Sequence, residues 1–179
     1  MKQWNVVVTV HEHHFAQACQ FLEAYGQLAR TDFFNVLTMW VEGAEQFLHS
    51  LHQDLRDNPV IGLCVSRLLP VSNSFVFQLP EEFETKAQTI VTPWIEQLSG
   101  KRFHVRMHRR GFKGRMYSQE EERFLDRFLM QQLAERGLSA EVDFDDPDFI
   151  IAVETIGQQA GLSLWSRDEL ARFPLVKLD

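Results

Sequence analysis

The chain has 179 residues, of which 45% are hydrophobic and 24% are charged, a composition that excludes disordered proteins and fits a soluble globular one. The formal net charge of −7 disfavours indiscriminate binding to polyanions, so a nucleic acid would have to bind at a localised patch. The only two cysteines, Cys19 and Cys64, lie far apart in apolar settings. They are typical of buried thiols in a reducing compartment. Because no run resembles a signal peptide or a membrane span, we expect a cytoplasmic protein without a membrane partner.

The first 79 residues predict strands and helices in alternation. Apolar and β-branched runs favour strands, helical spacing of apolar residues favours helices, and Gly26, Gly43 and Asn58-Pro59 separate the elements. The order is that of a ferredoxin-like α/β sandwich. The predicted strands are 4–10, one or more within 27–41, 60–69 and 74–79, and the predicted helices are 15–26 and 44–57.

A second domain is predicted to begin near Pro80, giving domains 1–79 and 80–179. Helical spacing covers 81–98, with Pro93 expected to kink or split the helix. A basic strand and a helix at 118–136 follow, with Gly137 as the stop signal. Strands are predicted at 140–144, 149–156 and 162–165, and Ser166 to Glu169 has the spacing of a capping box for a short final helix.

Residues 101–115 stand out because they carry seven cations and no carboxylate. Phe103, Val105 and Met107 alternate with polar residues at 104, 106 and 108, which predicts a strand with one buried face and one basic face. Gly111 and Gly114 then open the backbone, and Ser118 with Glu121 has the spacing of a second capping box. A basic turn leading into a helix N-terminus favours an anion, and a polyanion as a large ligand.

The candidate RNA-binding residues follow from this pattern. Phe112 and Tyr117 flank the basic turn and could stack on bases. The candidates for phosphate contacts are Lys101, Arg102, Arg106, His108, Arg109, Arg110, Lys113 and Arg115. From the residues alone, an equally weighted interpretation is a solvated face whose arginines pair with carboxylates.

Two further clusters have ordinary explanations beside their functional ones. His11, His13 and His14 suggest a metal, but their spacing lacks a converging ligand set, and a polar turn is the favoured interpretation. The acidic segment from Asp143 to Asp148 lacks the glycine and terminal glutamate of a calcium loop. We expect its carboxylates to form turns, cap an element or hold nearby arginines.

Three segments of the second half resemble the THUMP domain. These are the basic strand with the helix after it, the Asp146-Pro147-Asp148 turn before an apolar strand, and the segment from Ser166 to Leu170. Their order is most similar to the adaptors of the tRNA cytidine acetyltransferase. This resemblance covers most of residues 80–179, and the ferredoxin-like domain usual in that family corresponds to residues 1–79.

The resemblance implies binding of tRNA, especially its acceptor end, and presentation of it to a separate tRNA-modifying enzyme such as an RNA cytidine acetyltransferase. No GxGxxG, P-loop or deaminase signature is present. We therefore expect no cofactor, no metal and no enzymatic activity of the chain itself. The alternative is a protein-interaction adaptor whose basic face docks an acidic protein partner.

Overall fold

The computed structural model describes residues 3–178. Contacts between Cα atoms divide them into two compact units. The first contains the described residues up to Val71 together with Leu170–Lys177, and the second contains Ser72–Glu169 with Leu178. Within residues 3–178, no helix is both long and apolar enough to cross a lipid bilayer.

The first unit contains a four-stranded sheet in the order β2-β3-β1-β4, with every pair antiparallel. Together with the βαββαβ sequence of its main elements, this is the topology of a ferredoxin-like sandwich. Its elements are β1 (Val6–Val10), α1 (Phe15–Leu22), β2 (Gln27–Arg30), β3 (Val36–Trp40), α2 (Ala44–Asp57), α3 (Val60–Cys64) and β4 (Val65–Pro70).

The strand predicted over 60–69 is wrong in its first half. Pro59 has a φ of −61° and starts the short helix α3 (Val60–Cys64), and the Val60 N–H donates to the side-chain oxygen of Asn58 at 3.3 Å. A proline with helical φ and an amide acceptor before it favour a helical turn. Only from Val65 does the chain become extended.

The second unit contains a five-stranded sheet in the order β5-β9-β8-β6-β7. The strand β6 runs parallel to both β7 and β8, and the β8–β9 and β5–β9 pairs are antiparallel. Its elements are β5 (Asn73–Val76), α4 (Pro80–Val91), a 3₁₀ turn (Thr92–Trp94), α5 (Ile95–Leu98), β6 (Arg102–His108), α6 (Ser118–Glu135), β7 (Glu141–Val142), β8 (Phe149–Ile156) and β9 (Gln159–Ser166), and α7 (Arg167–Arg172) follows.

Several local predictions can be compared directly with these elements. The strand predicted at 74–79 is shorter, Asn73–Val76, and pairs with β9 in the second sheet. Pro93 does split the predicted helix, since it lies within the 3₁₀ turn. Ser166 and Glu169 form the expected capping box, because the Ser166 N–H donates to the Glu169 carboxylate at 2.8 Å and the Glu169 N–H donates back to Ser166 Oγ at 3.3 Å.

Candidate nucleic-acid interface

The strand β6 buries its apolar residues as the alternation predicts, but its polar side is not a uniform basic face. Phe103 and Val105 are fully buried. On the other side only Arg106 is exposed, and its Nε donates to the Leu178 carbonyl at 3.2 Å. His104, expected on the basic face, is only 7% exposed. Its Nδ1 lies 2.8 Å from the Asp143 carbonyl oxygen, so this histidine is a structural residue of the sheet edge.

Arg102 is engaged by carboxylates. Its guanidinium contacts Asp146 at 2.6 Å and Asp148 at 3.2 Å, and Arg167 approaches the same two carboxylates at 2.8 and 3.4 Å. Backbone and guanidinium hydrogen bonds from Arg102 hold the pKa of Asp148 below its ordinary value. The carboxylates of the acidic segment 143–148 therefore bind Arg102 and Arg167. This is one of the interpretations that the sequence left open.

Arg110 neutralises a carboxylate in the interior. Its Nη1 lies 2.5 Å from Glu154, whose side chain is fully buried, and His108 approaches the same carboxylate at 3.4 Å. The backbone of Arg110 is also fixed, because its N–H donates to Thr155 Oγ1 at 2.9 Å and its carbonyl accepts from the Gly157 N–H at 2.8 Å. These contacts attach the start of the basic turn to β8 and to the hairpin that follows it.

The turn itself, defined here as residues 109–117, depends on left-handed backbone conformations. Gly111 has a φ of +106° and packs so closely on Gly157 that a Cβ atom would lie 2.9 Å from the Gly157 Cα. Phe112 and Gly114 also have positive φ, of 54° and 75°. The buried Met116, whose N–H donates to the Phe112 carbonyl at 3.1 Å, anchors the far end of the turn.

The ring of Phe112 packs against other side chains of the protein. It stacks on Phe77 with a centroid distance of 4.8 Å, and the Arg115 guanidinium lies 5.0 Å from its centroid. Arg115 also donates to the Gln78 carbonyl at 3.4 Å. Tyr117 is 53% exposed. Of the two aromatic residues predicted to stack on bases, Tyr117 is the accessible one.

The seven cations of 101–115 therefore do not form one cluster. Lys101 and Arg102 lie at the start of β6 and the turn lies at its end, about 20 Å away at the rise of an extended strand. Within residues 3–178, the cations of this stretch that form no ion pair are Lys101, Arg106, Arg109, Lys113 and Arg115. Three of these are in the turn, where the Arg109 guanidinium donates to the Gly111 carbonyl and Lys113 and Arg115 are exposed.

The predicted capping box at Ser118 is absent. Tyr117 occupies the N-cap position of α6, and no side chain of the described residues caps the helix. Glu121 turns into the interior with 5% exposure, and its N–H donates to the Tyr117 carbonyl at 3.2 Å. Because Glu120 and Glu121 follow in the first turn, they offset the positive end of the helix dipole. The end of α6 therefore offers an anion less positive charge than the cationic side chains of the turn do.

The histidine cluster shows no metal geometry. Among residues 3–178, no group of His, Cys, Asp and Glu side chains is arranged to hold a metal ion. His11 and His13 are exposed, and His14 lies against Cys64 with 3.7 Å between Nδ1 and Sγ. Both cysteines of the chain are free thiols.

Comparison with known proteins finds the fold but no close relative. No protein-family model and no curated protein sequence matches the chain. PH1313 from Pyrococcus horikoshii is similar with a TM-score of 0.61 and 12% identity, covering 91% of this chain and 54% of that one. TrmN from Thermus thermophilus is similar with a TM-score of 0.62 and 15% identity, covering 90% of this chain and 45% of that one. A 4-thiouridine synthetase solved with RNA and ATP is similar with a TM-score of 0.53 and 15% identity, covering 92% of this chain and 42% of that one.

These matches confirm the predicted fold class, a ferredoxin-like sandwich followed by a THUMP-like α/β domain. This chain spans about half the length, or less, of the solved chains that it matches. At such low identity the likeness establishes the fold and leaves the acetyltransferase-adaptor resemblance as a prediction.

The prediction that the chain is not an enzyme is contradicted by the same comparison. The fold is shared with the 4-thiouridine synthetase and with a putative methyltransferase crystallised with SAH, at a TM-score of 0.51 and 17% identity. The prediction relied on the lack of a cofactor motif. That reasoning fails because the shared fold covers only 42% of each of these enzymes, so the shared part need not contain the cofactor motif.

Proposed function

We propose that this chain provides the RNA-binding part of an RNA-modifying enzyme, with structured RNA, and tRNA above all, as its ligand. The observation that carries the proposal is the turn at 109–117, where Arg109, Lys113 and Arg115 form no ion pair with any of residues 3–178, in a protein of net charge −7. The 4-thiouridine synthetase of similar fold was solved in complex with RNA, which supports RNA as the polyanion.

The chemistry of the turn fits a phosphate backbone with one base contact. Lys113 and Arg115 are exposed cations, and cationic side chains bind phosphates without reading sequence. Tyr117 adds an accessible ring at the end of the turn, and such rings stack on unpaired bases. A stem with an adjoining single-stranded end, as in the tRNA acceptor, offers both features.

The modification served is a finer proposal. The sequence resemblance supports cytidine acetylation, whereas the solved structures include a synthetase and a putative methyltransferase. Nucleoside mass spectrometry of tRNA from cells lacking this chain distinguishes them, since loss of acetylcytidine supports acetylation. Loss of a thiolated or methylated nucleoside instead would contradict acetylation and retain the RNA-binding proposal.

Ultraviolet crosslinking tests the position of the interface. With radiolabelled tRNA and the full chain, we expect the crosslinked peptides to include Tyr117 and the turn at 109–117. Tyr117→Leu should lose most of the crosslink while keeping most of the affinity, because phosphate contacts dominate binding. Phe34→Leu is the matched control, since Phe34 is an aromatic residue of 79% exposure in the first unit. Crosslinks confined to peptides outside 101–117 would place the interface elsewhere and contradict the proposal.

A further inference from the structure

The four-stranded sheet of the first unit presents a tryptophan next to its outer edge. The edge strand β2 pairs with β3, so that Gln27 lies opposite Trp40 and Ala29 lies opposite Thr38. Opposed residues of an antiparallel pair lie on the same face of a sheet, and so do residues two positions apart along a strand. These four side chains therefore lie together on one face of the sheet.

The same four residues line a groove of about 320 Å³, called the edge groove below. Trp40 is 40% exposed, whereas Trp4, which also lines the groove, is buried. None of the described residues that line the groove is charged. Its volume is at the lower end of the range of about 300–1,000 Å³ that is usual for small-molecule sites. The groove is therefore of a size for a small organic group rather than for a folded partner.

The backbone around Trp40 is held in place on both sides. The Asn5 side chain donates to the Val41 carbonyl at 2.8 Å and accepts from the Val41 N–H at 2.9 Å, and the Asn5 N–H donates to the Met39 carbonyl at 2.9 Å. Gly26, which precedes β2, packs so closely that a Cβ atom there would overlap the Trp40 carbonyl oxygen. The groove is therefore formed before a ligand arrives, which lowers the entropic cost of binding.

The lining favours a flat, uncharged ligand with polar groups at its edge. A partly exposed indole ring stacks on other aromatic rings and on nucleobases. Gln27 is exposed, and its amide can both donate and accept hydrogen bonds. A phosphate or a carboxylate would meet no cation among the described residues of the lining. A nucleobase has all of the favoured properties, and RNA is known to bind to four-stranded sheets by stacking bases on their aromatic residues.

We propose that the edge groove binds one unpaired nucleobase, which stacks on Trp40 and forms hydrogen bonds with the Gln27 amide. The proposal rests on the proposed function only in naming the source of the base, which is a single-stranded nucleotide of the bound RNA rather than a free nucleoside. Because no described cation lines the groove, this contact adds affinity for unpaired RNA without adding a phosphate contact, unlike the turn at 109–117.

Nucleoside titrations test the chemistry of the groove. Amide and indole N–H signals of the full chain are followed by NMR during titration with each of the four ribonucleosides, and with ribose 5-phosphate as a control that lacks a base. We expect nucleosides to bind with millimolar affinity and to shift the signals of 27–29, 38–40 and the Trp40 indole, and ribose 5-phosphate to leave them unchanged. No shift of these signals by any nucleoside, or equal shifts by ribose 5-phosphate, would overturn the proposal.

Variants assign the binding to the two named side chains. Trp40→Leu should weaken nucleoside binding at least about fivefold because it removes the stacking surface, and Trp40→Phe, which keeps a ring, should lose less. Gln27→Ala changes an exposed side chain and should also weaken binding without affecting urea unfolding. Phe34→Leu is the control, since Phe34 is an exposed aromatic residue of the same unit that does not line the groove. Wild-type nucleoside affinity in Gln27→Ala, or in folded Trp40→Leu, would overturn the proposal.

RNA probes identify the source of the base. An RNA hairpin with a single-stranded extension should shift the groove signals, and the same hairpin without the extension should not. With tRNA, Trp40→Leu should lower the affinity at least about fivefold and leave its salt dependence unchanged, because no phosphate contact is lost.

The outcomes separate this proposal from the proposed function. Wild-type tRNA affinity in folded Trp40→Leu would overturn RNA as the source of the base and leave RNA binding at the turn intact. Nucleoside binding in the groove of a chain that does not bind tRNA would contradict the proposed function and identify free nucleosides as the ligand.

Discussion

At the scale of single residues, the central distinction is between arginines that stabilise the fold and those available to a ligand. Arg102 and Arg110 pair with carboxylates that are 41 or more positions away in the sequence. Lys113 and Arg115 form no ion pair among the described residues. All four residues belong to the same basic stretch, so only their contacts in the folded protein distinguish the two roles.

Replacing Arg110 should destabilise the protein. Arg110→Ala removes the guanidinium next to the fully buried Glu154, and removing one member of a buried ion pair costs about 3 kcal/mol. Urea unfolding should show this loss, and Arg110→Ala/Glu154→Gln should recover much of it. Lys113→Ala should change stability by less than about 0.5 kcal/mol. Equal stability of the two single variants would contradict the structural role of Arg110.

Asp126 should make stability depend on pH. Burial raises its pKa to about 7, even though its Oδ1 accepts the Val105 N–H at 3.0 Å. Because the folded-state pKa lies above the unfolded value of about 3.9, the wild-type protein loses stability as pH rises through 7. Asp126→Asn keeps an acceptor and removes the charge. We expect the variant to gain stability over wild type between pH 4 and pH 8, and a constant difference would contradict the raised pKa.

At the scale of elements, the basic turn is held in shape by glycine. Gly111→Ala should impair it more than Gly114→Ala, although both have positive φ. A Cβ atom at position 111 would meet the Gly157 backbone, whereas a Cβ atom at position 114 would have no described atom within 4 Å apart from its chain neighbours. We expect Gly114→Ala to lower the free energy of unfolding by about 1 kcal/mol and Gly111→Ala to lower it by at least twice as much.

Binding should follow the same order as stability. Gly111→Ala should weaken tRNA binding even under conditions where both variants are folded, because the added Cβ atom displaces the turn that carries the cations. Chemical unfolding and filter binding on the same preparations provide the comparison. Equal effects of the two substitutions would mean that contact with Gly157 does not determine the shape of the turn.

The sequence predicted those features that depend on short-range pattern. The alternation of Phe103, Val105 and Met107 gave the buried side of β6, and Pro93 split a helix as expected. The same S-x-x-E spacing forms a capping box at 166 but not at 118, because Glu121 is drawn into the interior. Whether an arginine pairs with a distant carboxylate depends on tertiary contacts, and for that reason the sequence could not separate Arg102 from Arg115.

At the scale of the whole molecule, charge is distributed unevenly. Outside residues 101–115, eleven cations face twenty-five carboxylates, so most of the chain repels a polyanion. The local cations of the turn must then provide most of the attraction, and each cation that contacts a phosphate should contribute separately to the dependence of affinity on salt. The salt dependence of variants in the turn therefore distinguishes RNA binding at the turn from RNA binding elsewhere on the protein.

The most direct measurement of the central claim is the salt dependence of tRNA affinity. The logarithm of the association constant is measured against the logarithm of salt concentration for wild type and Lys113→Ala/Arg115→Ala. The matched control is Arg56→Ala/Lys177→Ala, two exposed cations of the first unit. We predict weaker binding and a slope reduced by about two for the turn variant, with both unchanged in the control. A slope equal to that of wild type in the turn variant would contradict RNA binding at this turn.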